Sequence, residues 1–250
     1  MTKPPQRHDI LMLVHDRPIY LYMTLDSLQR ATLSPYRLTV FHHLSGDPLV
    51  SQVLQGFLAR GVIDQIIEIP DETVAYVKLF RMASARGLRD GEVFFWLEDD
   101  VVIEADSRCW IAKMLAAFGA DDRLAMAGSA IDKSDFIDPG ALQAVLGRDL
   151  TAAELTVIKA ASPERHQEFE NGEMVGRTHG VAGRFMGLRS AAITEDVINL
   201  DYLMNRALHA AGWTTRVLPD VRHRHMSLQN YYDYPDYMVR RDRHMNRNQR

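Results

Sequence analysis

The 250-residue chain has one cysteine, Cys109, so no disulfide can form within it, and a zinc site built on two or more thiolates is excluded. It has no surplus of positive charge. Its 29 Lys and Arg stand against 33 Asp and Glu, a formal net charge of −4, which argues against a nucleic-acid binder that works through bulk positive charge. Long hydrophobic runs are missing too. The first apolar run, residues 10–14, is far short of a signal-peptide core or of the ~20 residues of a membrane span. One cysteine and no export signal lead to the expectation of a cytoplasmic protein. No internal repeat and no linker breaks the chain. The composition is otherwise that of an ordinary globular protein, 46% apolar and 25% charged, long enough to bury most of its apolar surface in one domain.

Through the first half, short apolar runs alternate with amphipathic stretches. Residues 9–15 read as a buried strand, because the interior of the run is continuously apolar over strand length. Arg17-Pro18 breaks it, and proline suits the first turn of a helix, on which Leu21, Leu25 and Leu28 follow at helical spacing. Residues 38–42 form a second expected strand. Val50, Val53, Leu54, Phe57 and Leu58 mark a second helix. Residues 66–69 are a third strand, 72–86 a third helical stretch and 93–97 a fourth, very apolar strand. This rhythm implies right-handed βαβ units and a mostly parallel central sheet flanked by helices, an α/β, Rossmann-like fold. Ligands of such sheets sit outside the carboxyl ends of the strands. Attention therefore falls on His15-Asp16-Arg17, on residues 42–47, on Pro70-Asp71-Glu72 and on Glu98-Asp99-Asp100.

The second half is less regular. Residues 132–180 read as a polar insertion, with helices near 141–146 and 152–160 and a mobile loop or lid over 162–178. Order returns at 184–188. A helix carrying Met204, Ala207, Leu208 and Ala211 on one face follows, and Gly212 stops it. A last strand is expected at 215–218, closed by Pro219. The expected organisation is one domain: a ligand-binding half over 9–130, a second half over 131–225 and a tail over 226–250.

Glu98-Asp99-Asp100 is the most informative triplet. Three consecutive carboxylates at the mouth of a buried strand repel one another, and a hard divalent cation with oxygen ligands, Mn²⁺ or Mg²⁺, would offset that repulsion. A solvated acidic turn is the alternative, which the apolar run Val101-Val102-Ile103 directly after it weakens.

The pattern Phe-Phe-Trp-Leu-Glu-Asp-Asp-Val-Val-Ile resembles the metal-binding DXD segment of GT-A glycosyltransferases. Its EDD form is similar to that of family 13 N-acetylglucosaminyltransferases, and its surroundings to family 2. The run Ile10-Leu-Met-Leu-Val-His-Asp-Arg-Pro18 resembles the opening strand–turn–helix of both families. Residues 38–47 are similar to their second strand and its DDGS turn, with His42-His43 where acids are commoner. The resemblance covers about 9–119 well and 184–225 loosely.

What it implies is a GT-A-like catalytic domain with a long insertion before the acceptor side. Such a domain would move a sugar from a nucleotide sugar, a UDP-sugar above all, to an acceptor hydroxyl with inversion. Asp16 and Arg17 would lie near the nucleotide base, with Asp47 beside it or its ribose. Lys78 or Arg81 would approach the base or diphosphate, Asp99 the ribose or metal, and Asp100 would hold the metal. Arg17 can equally be a solvated turn residue, Asp47 a helix N-cap, and Lys78 and Arg81 a polar helix face. A general base is needed at the acceptor. Asp201, counted back from Gly212, has the family's spacing, though Leu200 stands where Glu is usual. Asp196 is the second candidate, and both can also be helix N-caps. His225, or His223 on the same strand face, would face the metal or diphosphate. Arg184 and the glycines of 179–188 would border the acceptor, a glycan, a lipid-linked molecule or a small molecule.

The tail carries Tyr231, Tyr232, Tyr234 and Tyr237 before Arg240, Arg241, Arg243, Arg247 and Arg250. It reads as a frayed or packed terminus, or as a peripheral contact with the inner face of a membrane; no nucleic-acid partner is expected. Two other classes stay open. A sugar nucleotidyltransferase would usually open with a Gly-rich loop, which the turn His15-Asp16-Arg17-Pro18 lacks. A non-catalytic nucleotide-sugar or glycan-binding protein would keep the first half but show no transfer.

Overall fold

The computed structural model describes residues 6–43, 46–69, 76–89, 91–132, 139–152, 154–155, 181, 183–198 and 201–226. It begins with the expected alternation: β1 (His8–Val14), α1 (Pro18–Ala31), β2 (Tyr36–His43), α2 (Pro48–Ala59), β3 (Gln65–Ile69), α3 (Tyr76–Ala85) and β4 (Val93–Glu98). There follow β5 (Val101–Ile103), α4 (Trp110–Ala120), β6 (Leu124–Ile131), α5 (Pro139–Leu146), β7 (Phe185–Arg189), α6 (Asp201–Ala210) and β8 (Thr214–His225). The expected start of the third helix at 72, most of the helix at 152–160, the lid at 162–178 and the tail from 227 onward lie outside the described residues. No helix among the described residues is long and apolar enough to cross a membrane.

β1 is continuously apolar because both of its faces are covered. Ile10, Met12 and Val14 enter one core with Leu21, Leu25 and Leu28 of α1 and Trp110 of α4. Leu11 and Leu13 enter a second core, on the opposite face, with Phe80, Trp96, Met204 and Leu208. Pro18 and Pro48 each open a helix, where a missing N–H costs nothing.

The eight strands form one sheet in the order β3-β2-β1-β4-β7-β6-β8-β5. The first four are parallel, as are β6 and β8, while β7 runs antiparallel to both of its neighbours and β5 to β8. β4 and β5 are joined by Asp99 and Asp100 alone, yet β5 lies four places from β4 in the sheet. Four strand spacings amount to ~19 Å across a flat sheet, whereas three chain steps reach ~11 Å. The sheet therefore curls, and the curl brings the end of β8 round to the end of β4.

Two sequence expectations are corrected and two elements are added. Pro219 does not close the last strand: β8 runs on to His225, and the ladder with β6 skips residues 219–221 between Leu218 opposite Ser129 and Arg222 opposite Ala130. Proline is tolerated at such an irregularity because no ladder hydrogen bond is asked of it. The added elements are α4 and β6. Cys109, which precedes α4, adopts a left-handed backbone with φ 65° and makes no side-chain cap, so the usual start signal is missing. β6 is built largely of Ala, Gly, Ser and Met, residues with little strand preference. Nor does Gly187 open the backbone to an acceptor. It lies inside β7, where a Cβ would stand 3.0 Å from Phe118 and 3.1 Å from Phe95, so the missing side chain makes room for two core rings.

Candidate active site

The turn after β1 is tight. The Arg17 N–H donates to the His15 carbonyl at 2.9 Å, and Pro18 keeps Arg17 out of helical backbone. β4 lies beside β1 in parallel register, with Leu13 opposite Glu98, so the turn and the acidic triplet emerge at the same sheet edge. There the His15 N–H donates to Asp99 Oδ2 at 2.9 Å. The Arg17 guanidinium forms ion pairs with both acids, through one terminal nitrogen to Asp99 and through the other to Asp100 Oδ2 at 2.6 Å. All three side chains are buried: Arg17 is 5% exposed, Asp99 1% and Asp100 3%.

β8 arrives from the other side. Val101 pairs with His225, and the Met226 N–H donates to the Asp100 carbonyl at 3.0 Å. His225 Nε2 stands 3.4 Å from Asp100 Oδ1, an oxygen that carries no hydrogen bond among the described residues. Glu98, Asp100 and His225 each offer a ligand atom, all within 4.8 Å of one another. Adjacent ligands of an octahedral ion bound at ~2.1 Å lie ~3 Å apart, close to the spacing of Asp100 Oδ1 and His225 Nε2. Two carboxylates and an imidazole suit Mn²⁺ or Mg²⁺ with the remaining positions open to solvent or a phosphate. The orphaned Asp100 oxygen is what such an ion would satisfy.

The electrostatics divides the two aspartates. Burial pushes Asp99 up to about 6, Asp100's charge adds to that, and Arg17 opposes it. Burial also works against ionised Asp100, but the adjacent Arg17 guanidinium outweighs it and holds this carboxyl well below the usual range. His225 is lowered to about 4 by burial and by the nearby charge of Arg184, despite Asp100. At neutral pH its imidazole is uncharged, as a metal ligand must be.

Of the candidates read from the sequence, the structure brings Arg17, Asp99, Asp100, His225 and Arg184 together. Asp16 is half-buried in the same turn. Arg184 precedes β7, its carbonyl accepts the Glu98 N–H at 2.8 Å, and one of its terminal nitrogens is buried without a partner among the described residues. His223 shares a strand face with His225 but serves packing: its Nδ1 lies 2.8 Å from Ser129 Oγ, and its ring meets Phe185 edge-on. Asp47 caps α2, accepting the Leu49 N–H at 2.9 Å. Arg81 on α3 makes two hydrogen bonds to Glu195, of 2.7 and 2.5 Å. Asp196 lies next to Glu195 in an exposed turn, and Asp201 opens α6. The side chains of Lys78 and Asp201 lie outside the described residues.

Two supporting residues escaped the sequence reading. Asn205 of α6 is buried and exchanges two hydrogen bonds with the backbone of Val181, of 3.0 and 2.9 Å, pinning the chain just before β7. Arg189 ends β7 and reaches the carbonyls of Leu124, Phe118 and Asp121. An Asn on a helix and an Arg ending a strand carry no local signal for partners that lie 24 and 65–71 residues away. The two histidines of β2 reach neighbouring side chains. His43 Nδ1 lies 3.4 Å from His15 Nδ1, and His42 pairs with Glu68.

No protein-family model matches the sequence, and no curated protein sequence matches it. Solved structures match in fold. The mannosyltransferase PcManGT from Pyrobaculum calidifontis, in complex with GDP-Man and Mn²⁺, aligns with a TM-score of 0.57 at 13% identity, over 97% of this chain and 65% of that one. GalNAc-T7 with UDP, GalNAc and Mn²⁺ gives 0.54 at 12% identity, over 90% and 44%. S. aureus TarS gives 0.50 at 14% identity, over 88% and 36%. The chain thus spans between 36% and 65% of the length of these proteins. The curled eight-stranded sheet, the helices on its two faces and the acidic turn after the fourth strand make up a GT-A-type fold.

Proposed function

We propose that this protein is a divalent-metal-dependent glycosyltransferase that takes its sugar from a nucleoside-diphosphate donor. The observation that carries the reading is the convergence of Glu98, Asp100 and His225 at the carboxyl ends of the strands, in a fold whose solved examples include complexes with GDP-Man and Mn²⁺ and with UDP and Mn²⁺. Asp100 Oδ1, Glu98 and His225 would hold Mn²⁺ or Mg²⁺. The ion, when bound, screens the charge of a departing diphosphate. Arg184, whose charge acts on His225, has a buried nitrogen without a partner among the described residues, a second positive charge for that diphosphate. His15, Asp16 and His43 line the edge beyond the acids, where the nucleoside would rest. A UDP-sugar is the donor that the resemblance to EDD-type enzymes favours. Asp201, at the start of α6, is the proposed base for inverting transfer, with Asp196 as the alternative.

Titration of the protein with UDP and with GDP, each with and without Mn²⁺, tests the reading. Metal-linked binding of one nucleotide is expected, and failure of both with either Mn²⁺ or Mg²⁺ would overturn it. Asp100→Ala should abolish the metal-linked component. Asp201→Asn should bind donor as the wild type does but lose donor turnover; unchanged turnover would move the base to Asp196.

A further inference from the structure

Three carboxylates, Glu98, Asp99 and Asp100, share the site with one buried guanidinium, that of Arg17. This arginine spends both terminal nitrogens on the acids and is 5% exposed, so it stands inside the cluster as a tethered cation. Three carboxylates thus crowd around one tethered guanidinium, and a divalent ion would relieve the repulsion among them. Arg184 is the other cation whose charge acts on His225, and it makes no ion pair among the described residues. Arg17 also divides Asp100 between two tasks. It occupies Oδ2 at 2.6 Å and leaves Oδ1 toward His225, so that a metal meets one oxygen of this carboxylate, not two.

We infer that Arg17 is a positioning residue that holds down the affinity of the acidic site for a bare divalent cation, so that metal binds firmly only together with a diphosphate. The guanidinium repels the ion and ties up an oxygen that would otherwise chelate it. A diphosphate supplies the missing negative charge and oxygen ligands. Metal and diphosphate then strengthen one another's binding by the same factor, as linkage requires. The inference rests on the metal site proposed above and adds to it the element that makes metal loading depend on donor.

The test is Mn²⁺ binding followed by the paramagnetic resonance of the free ion, with and without UDP, in wild type, Arg17→Met and Arg17→Lys. Methionine keeps much of the side-chain volume and removes the charge. Without nucleotide, Arg17→Met should bind Mn²⁺ at least ~10-fold more tightly than wild type, since a like charge within ion-pair distance of the acids is gone. Its additional tightening on adding UDP should shrink by a similar factor. Arg17→Lys, which keeps the charge, should stay within ~3-fold of wild type. Equal or weaker Mn²⁺ binding by a folded Arg17→Met protein overturns the inference. If that variant folds only with metal present, the Mn²⁺ concentration at its folding midpoint reports the affinity, and failure to fold in millimolar Mn²⁺ overturns the inference as well. A wild type that binds no Mn²⁺ even with UDP would instead sink the metal reading itself, so the two failures are distinct.

Discussion

Arg189→Met tests whether the scaffold and the site can be separated. The guanidinium donates to the Leu124 carbonyl at 2.9 Å, to that of Phe118 at 2.9 Å and to that of Asp121 at 3.2 Å. It also pairs with Glu92 at 2.6 Å, but Glu92 is 78% exposed, and such a pair contributes at most ~1 kcal/mol. The weight falls on the carbonyls at the end of α4 and the start of β6, which methionine cannot satisfy. Each buried acceptor left without a donor costs ~1–3 kcal/mol, and three sharing one donor are not additive, so a loss of about 3–5 kcal/mol is expected. For a chain of this size that lowers Tm by ~6–20 °C. Urea unfolding of wild type, Arg189→Met and Glu92→Gln gives the comparison, with Glu92→Gln expected within ~1 kcal/mol of wild type. Arg189 pairs with Val93, at the opposite end of β4 from Glu98, ~17 Å away along the strand. Mn²⁺ binding by the folded variant should therefore be unchanged. A loss below 1 kcal/mol would refute the carbonyl argument, and a large change in Mn²⁺ affinity at full folding would refute the separation.

Asn205→Ala should free the backbone of residue 181, which its amide holds through two hydrogen bonds. Hydrogen exchange at the amide of Val181 should accelerate at least ~10-fold, with ~1–3 kcal/mol of stability lost; unchanged exchange would show that other contacts hold this segment. Cys109→Asn should raise stability by ~0.5–1 kcal/mol in thermal unfolding, because asparagine tolerates the left-handed backbone at φ 65° better than cysteine does. Stability of the metal-free protein should depend on pH through two opposed groups. His225, lowered to about 4, contributes stability that is complete above ~6.5 and is lost as pH falls toward 4. Asp99, raised to about 6, contributes stability that is complete below ~4 and is lost as pH rises through 6. His225→Gln should therefore gain stability relative to wild type on acidification from pH 7 to 5, and Asp99→Asn should lose it; parallel profiles for all three proteins would refute both assignments.

The strand–helix order up to β4 is legible because local signals and the tertiary fold agree there. β1 is apolar on both faces, and Pro18, Asp47 and Pro48 mark helix starts. The acidic triplet is legible too, since carboxylates of like charge beside a buried strand need a counter-charge wherever they end up. Where local and tertiary demands part, the reading fails. Pro219 ends a strand by itself but sits at an irregularity of a longer one; Gly187 reads as a residue bordering the acceptor but clears space for Phe95 and Phe118.

By itself the sequence determined the chemistry available: which acids are adjacent, which apolar runs must be buried, and that no thiolate cluster can bind metal. Tertiary structure alone decided which charge meets which. Arg17 and Asp99 lie 82 residues apart and join only because β1 and β4 are parallel neighbours. His225, not His223, reaches Asp100 because the sheet curls until β8 closes on β5. The physical reason is one of range. Helix caps and hydrophobic periodicity act over a few residues and are written in the local sequence, whereas ion pairing at the site depends on the sum of every register and twist between its partners.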